Sequence, residues 1–271
     1  MPKPKQPTIL LAEDDPAMQQ LIRLIMEDIG YRVDAVGDGQ QALAALRRRF
    51  YDLILMDVHM PVLNGPDAVY RIRQHYAGRT QPYIIALSAS HASRARDHCR
   101  HAGMDDYLLK PVAPEALATA VERYRQYIKR VATAEVPACP KANPPQPAPS
   151  ARTNPMLLDP SALKKLKNGL GDNPGHLTAF IDAVLRNAPK RFREMRQGLA
   201  QEDAKKLFIA AHSLKSNCAA LGAARLSGLC KELEASARQE RFTGLAERIA
   251  QAESVFAELK IALKAVRNQD S

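Results

Sequence analysis

The hydrophobic pattern divides the chain into two halves of different type. In the first half, short apolar or β-branched runs alternate with longer amphipathic segments. The runs predict strands at 8–12, 31–36, 53–56, 83–87 and 107–109. The segments predict helices at 17–29, 40–50, 66–76, 93–102 and 114–129. This alternation predicts an α/β fold, a doubly wound five-stranded parallel sheet with helices on both faces. In such sheets functional residues gather at the carboxyl ends of the strands.

The second half contains no strand pattern and is predicted to be all-α. Long periodic segments predict helices at 173–197, 202–221, 225–238 and 243–266, with a shorter one at 160–170. Glycines 169, 171, 222 and 244 give the turn signals. The expected architecture is an antiparallel four-helix bundle.

A proline-rich segment joins the two halves. Residues 132–155 contain seven prolines and few large apolar residues, so they cannot build a core and favour extended conformations. We therefore predict a first domain at 6–130, a semi-stiff linker at 131–155 and a second domain at 156–268.

Composition adds three constraints. The 271 residues suit two domains, and no apolar run is long enough for a membrane span or a signal peptide. The four cysteines are scattered without a CxxC pair, which favours reduced thiols in the cytoplasm. The net charge of +10, mainly in the second half, indicates either nucleic acid or an acidic protein surface as a partner.

Acidic residues stand at the ends of two predicted strands. Glu13 and Asp14 follow the first strand, and Asp57 ends the third. Because these ends are adjacent in a parallel sheet, the three carboxylates would repel one another without a cation such as Mg²⁺. Ser88 and Lys110 end the fourth and fifth strands. Strand-end acids are often only helix caps, as we expect for Asp15, but four matches at one edge indicate a phosphoryl-transfer site.

With these motifs, residues 6–130 resemble a response-regulator receiver domain, which has a flavodoxin-like fold. The resemblance implies that Asp57 is the phosphoacceptor and that Glu13, Asp14, Asp57 and the backbone carbonyl of His59 hold Mg²⁺. It implies phosphate-binding and switch roles for Ser88, Lys110 and Tyr107, with Tyr107 turning inward when Ser88 moves. Many receivers have a smaller polar residue where His59 stands, so the lifetime of the phosphoaspartate is left open.

His212 is the second candidate acceptor, within AHSLKSNCAALGA. Helical spacing places Leu207, Ala211, Leu214, Cys218 and Leu221 on the buried stripe, and His212 on another face with Lys215, Ser216 and Ala219. An exposed imidazole there can attack a phosphoryl group, with Lys215 steadying the phosphoryl oxygens. A single histidine on a helix is more often only a surface or hydrogen-bonded residue.

The sequence around His212 favours a phosphoacceptor over an ordinary surface histidine. Residues 156–268 resemble a histidine phosphotransfer (Hpt) domain, a four-helix bundle with one exposed phosphorylatable histidine. HSLKSNCAALGA matches the family signature, in which glycine is usual at the position of Ser216. The resemblance implies that His212 carries phosphate, with Lys215 and Ser216 beside it.

Together these features predict a two-component phosphorelay protein in which His212 exchanges phosphate with Asp57 or with another receiver. The expected partners are a sensor histidine kinase or hybrid kinase and a second response regulator, with no membrane partner. No segment resembles a kinase ATP-binding domain, so we expect a phosphotransfer protein and not an enzyme that uses ATP.

Two alternatives remain open at this stage. One is a phosphorylation-gated scaffold in which His212 is not used. The other is a nucleic-acid-binding response regulator, which no helix-turn-helix or zinc-finger spacing supports. Dimerisation through the fourth helix, fifth strand and fifth helix is also open. Met1 favours a free-standing protein, although this domain order also ends hybrid sensor kinases.

Overall fold

The computed structural model describes residues 6–89, 93–132, 157–170 and 175–269. The chain splits into two compact units, of which the first contains the sheet and the second the C-terminal helices. The predicted linker at 131–155 and the predicted turn at Gly171 lie outside the described residues, except for the linker's first two residues. Those two end the last helix of the first unit, so this helix extends further than its sequence pattern predicts.

The first unit is built on the predicted five-stranded parallel sheet, in the order β2-β1-β3-β4-β5. Its strands are β1 (Ile9–Ala12), β2 (Val33–Val36), β3 (Leu53–Asp57), β4 (Tyr83–Ser88) and β5 (Asp106–Leu109). Helices α1 (Pro16–Asp28), α2 (Gly39–Arg48), α3 (Gly65–His75), α4 (Ser93–His101) and α5 (Pro114–Ala132) alternate with them. The predicted α/β fold is therefore confirmed.

Residue pattern explains where these elements begin and end. Strands β1, β3 and β4 are buried along their whole length, as near-continuous apolar runs predict for the centre of a parallel sheet. Asp38 and Asn64 cap α2 and α3 by accepting hydrogen bonds from backbone amides of the first turn. Strand β2 begins two residues later than predicted because Tyr31 still takes part in the turn after α1, its amide donating to Met26 O at 2.7 Å.

The second unit is helical, as predicted. It contains α6 (Pro160–Gly169), α7 (Gly175–Ala200), α8 (Ala204–Ala220), α9 (Ala224–Arg238) and α10 (Leu245–Gln269). Helix α8 packs against α7 and α9, and α10 packs against the same two helices. The predicted stripe on α8 is buried, at Leu207, Ala211, Leu214, Cys218 and Leu221. In the part of the chain that the structure describes, every helix is too short or too polar to span a membrane.

Candidate functional sites

The sheet register brings the predicted acidic residues together at one edge. Ala12 pairs with Met56, so Glu13 and Asp57 follow at the same level on adjacent strands. Glu13, Asp14 and Asp57 each offer a carboxylate oxygen, and these oxygens all lie within 4.8 Å of one another. The side chains of Glu13 and Asp57 are buried. Three carboxylates so close together form a donor set of hard oxygen ligands that fits a divalent cation such as Mg²⁺.

Lys110 supplies positive charge to this acidic group. It follows β5, and its buried Nζ lies 2.7 Å from Asp57 Oδ2 and 2.5 Å from Glu13 Oε2. Burial lowers the pKa of Lys110, but the two carboxylates outweigh burial and hold the pKa above its usual range. Lys110 therefore stays protonated. One ammonium group faces three carboxylates, so the site keeps an excess of acceptor oxygens.

Glu13 shows the effect of that excess. Burial raises its pKa well above the ordinary value of 4.5, and the charges of Asp57 and Asp14 add to the increase. Lys110 opposes this shift without cancelling it. A buried carboxyl group among like charges is therefore costly to ionise until further positive charge arrives.

The loop after β3 lies close to Asp57. The backbone amide of His59 donates to Asp57 Oδ1 at 3.1 Å, and the amide of Gly65 donates to Val58 O at 3.1 Å. A Cβ atom at Gly65 would lie 2.2 Å from the carbonyl oxygen of Asp57. Only glycine permits this close approach, which explains the residue type at the start of α3.

Ser88 and Tyr107 lie close to each other, on adjacent strands of the sheet. Ser88 ends β4 and is buried, whereas Tyr107 lies half-buried on β5. Their side chains are hydrogen-bonded to each other. Burial raises the pKa of Tyr107, and the hydrogen bond with Ser88 opposes that increase. The Arg96 guanidinium lies 5.3 Å from the centre of the Tyr107 ring, within the range of a cation–π contact.

In the second unit, His212 lies on α8 beside an acidic residue that the sequence reasoning missed. Its Nδ1 is 3.4 Å from Oε1 of Glu234, a residue of α9. Lys215 donates to the other oxygen of Glu234, and Arg238 lies 3.2 Å from Oε1. Burial raises the pKa of Glu234, but the hydrogen bond and charge of His212 and the charge of Lys215 outweigh it and lower the pKa to about 2.

The expectation of an exposed imidazole is wrong for this structure. Only 5% of the His212 side chain is exposed. The ring of Phe208, one turn earlier on α8, stacks on the imidazole with centroids 5.6 Å apart. Ser216 is also buried, and its hydroxyl donates to the carbonyl oxygen of His212 at 3.1 Å. Helical periodicity assigns a face to a residue but does not show which neighbouring side chains cover it.

A sequence signal for Glu234 does exist. It stands among the buried stripe of α9, next to Leu233 and one turn after Cys230. A carboxyl group in an apolar stripe needs a polar partner. Helix α8 offers His212 and Lys215 as such partners, one turn apart.

Two family models match the chain. The first, described as "Response regulator receiver domain", matches residues 9–122, and the second, described as "Hpt domain", matches residues 179–269. The matched ranges contain Asp57 and His212, respectively.

Curated relatives carry both regions in the same order along a longer chain. The sensor protein GacS of Pseudomonas syringae pv. syringae is 30% identical over 87% of this chain and 25% of its own length. The signal transduction histidine-protein kinase BarA of Shigella flexneri is 28% identical over 85% of this chain and 24% of its own. This chain therefore spans about a quarter of the length of these relatives.

A solved structure is similar to the first unit. It is the receiver domain of the sensor histidine kinase PA1611 of Pseudomonas aeruginosa, described with a magnesium ion in its active-site cleft. It is 39% identical, covers 44% of this chain and 98% of its own, and has a TM-score of 0.40.

Proposed function

Given that the chain belongs to the two-component phosphorelay family, with a response regulator receiver domain followed by an Hpt domain, we propose that Asp57 and His212 are its two phosphoacceptors. One observation carries the proposal for Asp57. Its carboxylate lies within reach of two further acidic side chains and of a buried ammonium group, at the carboxyl edge of the sheet. Nucleophile, cation ligands and phosphate-binding lysine are thus assembled in one place.

In the receiver domain, a carboxylate oxygen of Asp57 attacks the phosphorus of a donor phosphohistidine. The new P–O bond replaces the P–N bond, and the donor imidazole leaves with the bond's electron pair. Glu13, Asp14, Asp57 and the carbonyl oxygen of His59 would hold Mg²⁺, which supplies positive charge against the phosphoryl oxygens. Lys110, already 2.7 Å from Asp57, binds a phosphoryl oxygen, and the Ser88 hydroxyl donates to another.

Ser88 and Tyr107 connect phosphorylation of Asp57 to the surface of the receiver domain. A phosphoryl group on Asp57 draws Ser88 towards it, and the hydrogen bond between Ser88 and Tyr107 couples that movement to the aromatic side chain. Tyr107 also contacts Arg96 of α4, so a movement of the Tyr107 side chain changes its contact with that helix. Phosphorylation then biases a two-state element.

In the Hpt domain, Glu234 accepts the Nδ1–H of His212 and leaves Nε2 as the nucleophile. Nε2 attacks the phosphorus of a phosphoaspartate, and the aspartate carboxylate leaves. Lys215 is held by Glu234 one turn from His212, where it can approach the phosphoryl oxygens. Ser216 adds only a small side chain beside the imidazole, and its hydroxyl is held by the carbonyl oxygen of His212.

The partners follow from these two reactions. A sensor histidine kinase or hybrid kinase donates to Asp57, and His212 exchanges phosphate with Asp57 or with a second response regulator. The chain itself takes no phosphate from ATP. Among the residues that the structure describes, the thiols of Cys99, Cys218 and Cys230 are free, which supports a reducing compartment such as the cytoplasm.

A phosphorylation time course tests the proposal. Wild type, Asp57→Ala and His212→Gln are incubated with acetyl phosphate and Mg²⁺, and mass spectrometry locates the phosphate. We expect Asp57 to be labelled in wild type and in His212→Gln, and His212 to be labelled only when Asp57 is intact. Labelling elsewhere in all three proteins would overturn both assignments. If Asp57 is labelled and His212 stays bare, His212 serves no exchange with this receiver.

A further inference from the structure

Two pairs of side chains face each other across α8 and α9. Phe208 and His212 are one turn apart on α8, and Glu234 and Arg238 are one turn apart on α9. Residues at this spacing lie one above the other on the same face of a helix. Because α8 and α9 pack together, the two pairs form a small rectangle of facing side chains.

The contacts within this group form a closed ring. His212 Nδ1 is 3.4 Å from Glu234 Oε1, and Arg238 is 3.2 Å from the same oxygen. The Arg238 guanidinium lies 5.3 Å from the centre of the Phe208 ring. Phe208 in turn stacks on the imidazole, with 5.6 Å between centroids and 23° between the ring planes. Each member of the ring therefore contacts two others.

Glu234 and Phe208 restrain the imidazole in different ways. A hydrogen bond at Nδ1 selects the tautomer, but a contact as long as 3.4 Å restrains rotation of the ring about the Cβ–Cγ bond only weakly. A nearly parallel aromatic ring fixes the plane of the imidazole, since stacked rings favour an offset parallel arrangement. Together, these two restraints hold the imidazole in one orientation, so Nε2 points in one direction.

We propose that Phe208, held in place by Arg238, is a positioning residue that fixes the plane of the His212 imidazole and so presents Nε2 for phosphoryl transfer. This inference rests on the proposed role of His212 as a phosphoacceptor. Without Phe208 the imidazole can turn over about its Cβ–Cγ bond, which exchanges Nδ1 with Cδ2, so that Glu234 faces a C–H group and no longer selects the tautomer. In that orientation Nδ1 points away from Glu234, and either ring nitrogen can attack the phosphorus.

The first measurement follows the tautomer and needs no phosphoryl donor. Full-length chain labelled with ¹⁵N-histidine is compared by NMR in parent, Phe208→Ala, Phe208→Leu and Phe208→Tyr forms, and His212→Gln identifies the His212 signals. We expect a single tautomer with a protonated Nδ1 in the parent and in Phe208→Tyr. Phe208→Ala and Phe208→Leu should give a mixture. Phe208→Leu keeps apolar bulk without an aromatic plane, so it decides the question if Phe208→Ala does not fold.

The second measurement follows the reaction. The same proteins, in an Asp57→Ala background, are phosphorylated with phosphoramidate, and ³¹P NMR separates Nε2-phosphohistidine from the Nδ1 isomer. Loss of a stacking contact predicts a rate lower by up to about tenfold in Phe208→Leu, with the Nδ1 isomer appearing. Arg238→Ala should give a smaller decrease, because its cation–π contact is largely exposed. Arg248→Ala is the matched control, since Arg248 forms a similar exposed pair with Glu232 at 2.6 Å.

The two measurements separate the inference from the proposed function. A single tautomer, a single isomer and an unchanged rate in folded Phe208→Leu would overturn the positioning role. If His212 accepts no phosphate in any protein, including the parent, the proposed function of His212 fails. The tautomer measurement then decides alone whether Phe208 orients the ring.

Discussion

The receiver site and the Hpt site have opposite balances of acidic and basic side chains. At Asp57, three carboxylates share one ammonium group, and burial with neighbouring charges raises the pKa of Glu13. At His212, one carboxylate is shared by an imidazole, Lys215 and Arg238, and its pKa is lowered to about 2. The receiver site has an excess of acceptors, whereas the acidic group of the Hpt site is already compensated. This difference implies that a cation should matter at the first site and not at the second.

The strongest test of that comparison removes the ammonium group from the receiver site. Lys110→Met leaves Glu13 and Asp57 buried without their partner. We expect the free energy of unfolding of the receiver domain to fall by about 3 kcal/mol without Mg²⁺, and Mg²⁺ to restore part of it. Urea unfolding followed by circular dichroism measures the change. Lys129→Met, an exposed lysine of α5, is the control, and equal midpoints for the two variants would contradict the expectation.

A second test alters the surroundings of Asp57 without changing charge. Gly65→Ala places a methyl group 2.2 Å from the carbonyl oxygen of Asp57, so the backbone there must shift. We expect a loss of about 2 kcal/mol in unfolding free energy and slower labelling of Asp57 by acetyl phosphate. Gly37→Ala is the matched control, because its new methyl group would make only ordinary contacts at 3.7 Å. Equal labelling rates in the two variants would show that the close approach is unimportant.

The cation dependence itself gives the third test. Asp14→Asn removes one carboxylate of the group, and we expect Mg²⁺ to bind at least about tenfold more weakly. Isothermal titration calorimetry suits the measurement, since the chain contains no tryptophan. Asp28→Asn, at the exposed end of α1, should bind as the wild type does. Chelation by EDTA should also stop labelling of Asp57, and Mg²⁺ binding to Asp14→Asn with wild-type affinity would argue against this ligand set.

The smallest expected effect concerns acid stability of the Hpt domain. The pKa of Glu234 is lowered from 4.5 to about 2, so its contribution is fully present above pH 4.5 and is lost as the pH falls through 2. We expect about 1 kcal/mol, since Arg238 is largely exposed. Urea unfolding across this pH window, in wild type and Glu234→Gln, measures it. Parallel pH curves for the two proteins would contradict the prediction.

Most of the receiver site could be predicted because its residues stand at strand ends. A parallel sheet places successive carboxyl ends at one edge, so the chain positions of Glu13, Asp57 and Lys110 already imply their proximity. The strands and helices lie within a few residues of their predicted bounds, because the hydrophobic pattern marks them along the chain. Periodicity did not predict how far α5 extends, because a polar exposed helix end resembles the start of a linker.

The Hpt site was less predictable because its members come from separate helices. His212 and Lys215 lie on one helix and were found by local spacing. Glu234 and Arg238 lie on the next, and their alignment with His212 depends on how α8 and α9 pack. Helical periodicity fixes which face a residue occupies but not the axial offset of the two helices. Phe208 lies on the same helix as His212, so only its contact with Arg238 depends on that offset.

Because of the facing pairs on α8 and α9, the contacts of His212 depend on the register between these two helices. One residue of helix corresponds to a rotation of about 100° and a rise of about 1.5 Å. A slip of that size would carry Glu234 and Arg238 away from His212 and Phe208 together, since each pair moves as a unit. The imidazole nitrogen that faces Glu234 would then depend on how α8 and α9 pack together. Any partner that twists α9 against α8 would thereby control the chemistry of the imidazole without touching it.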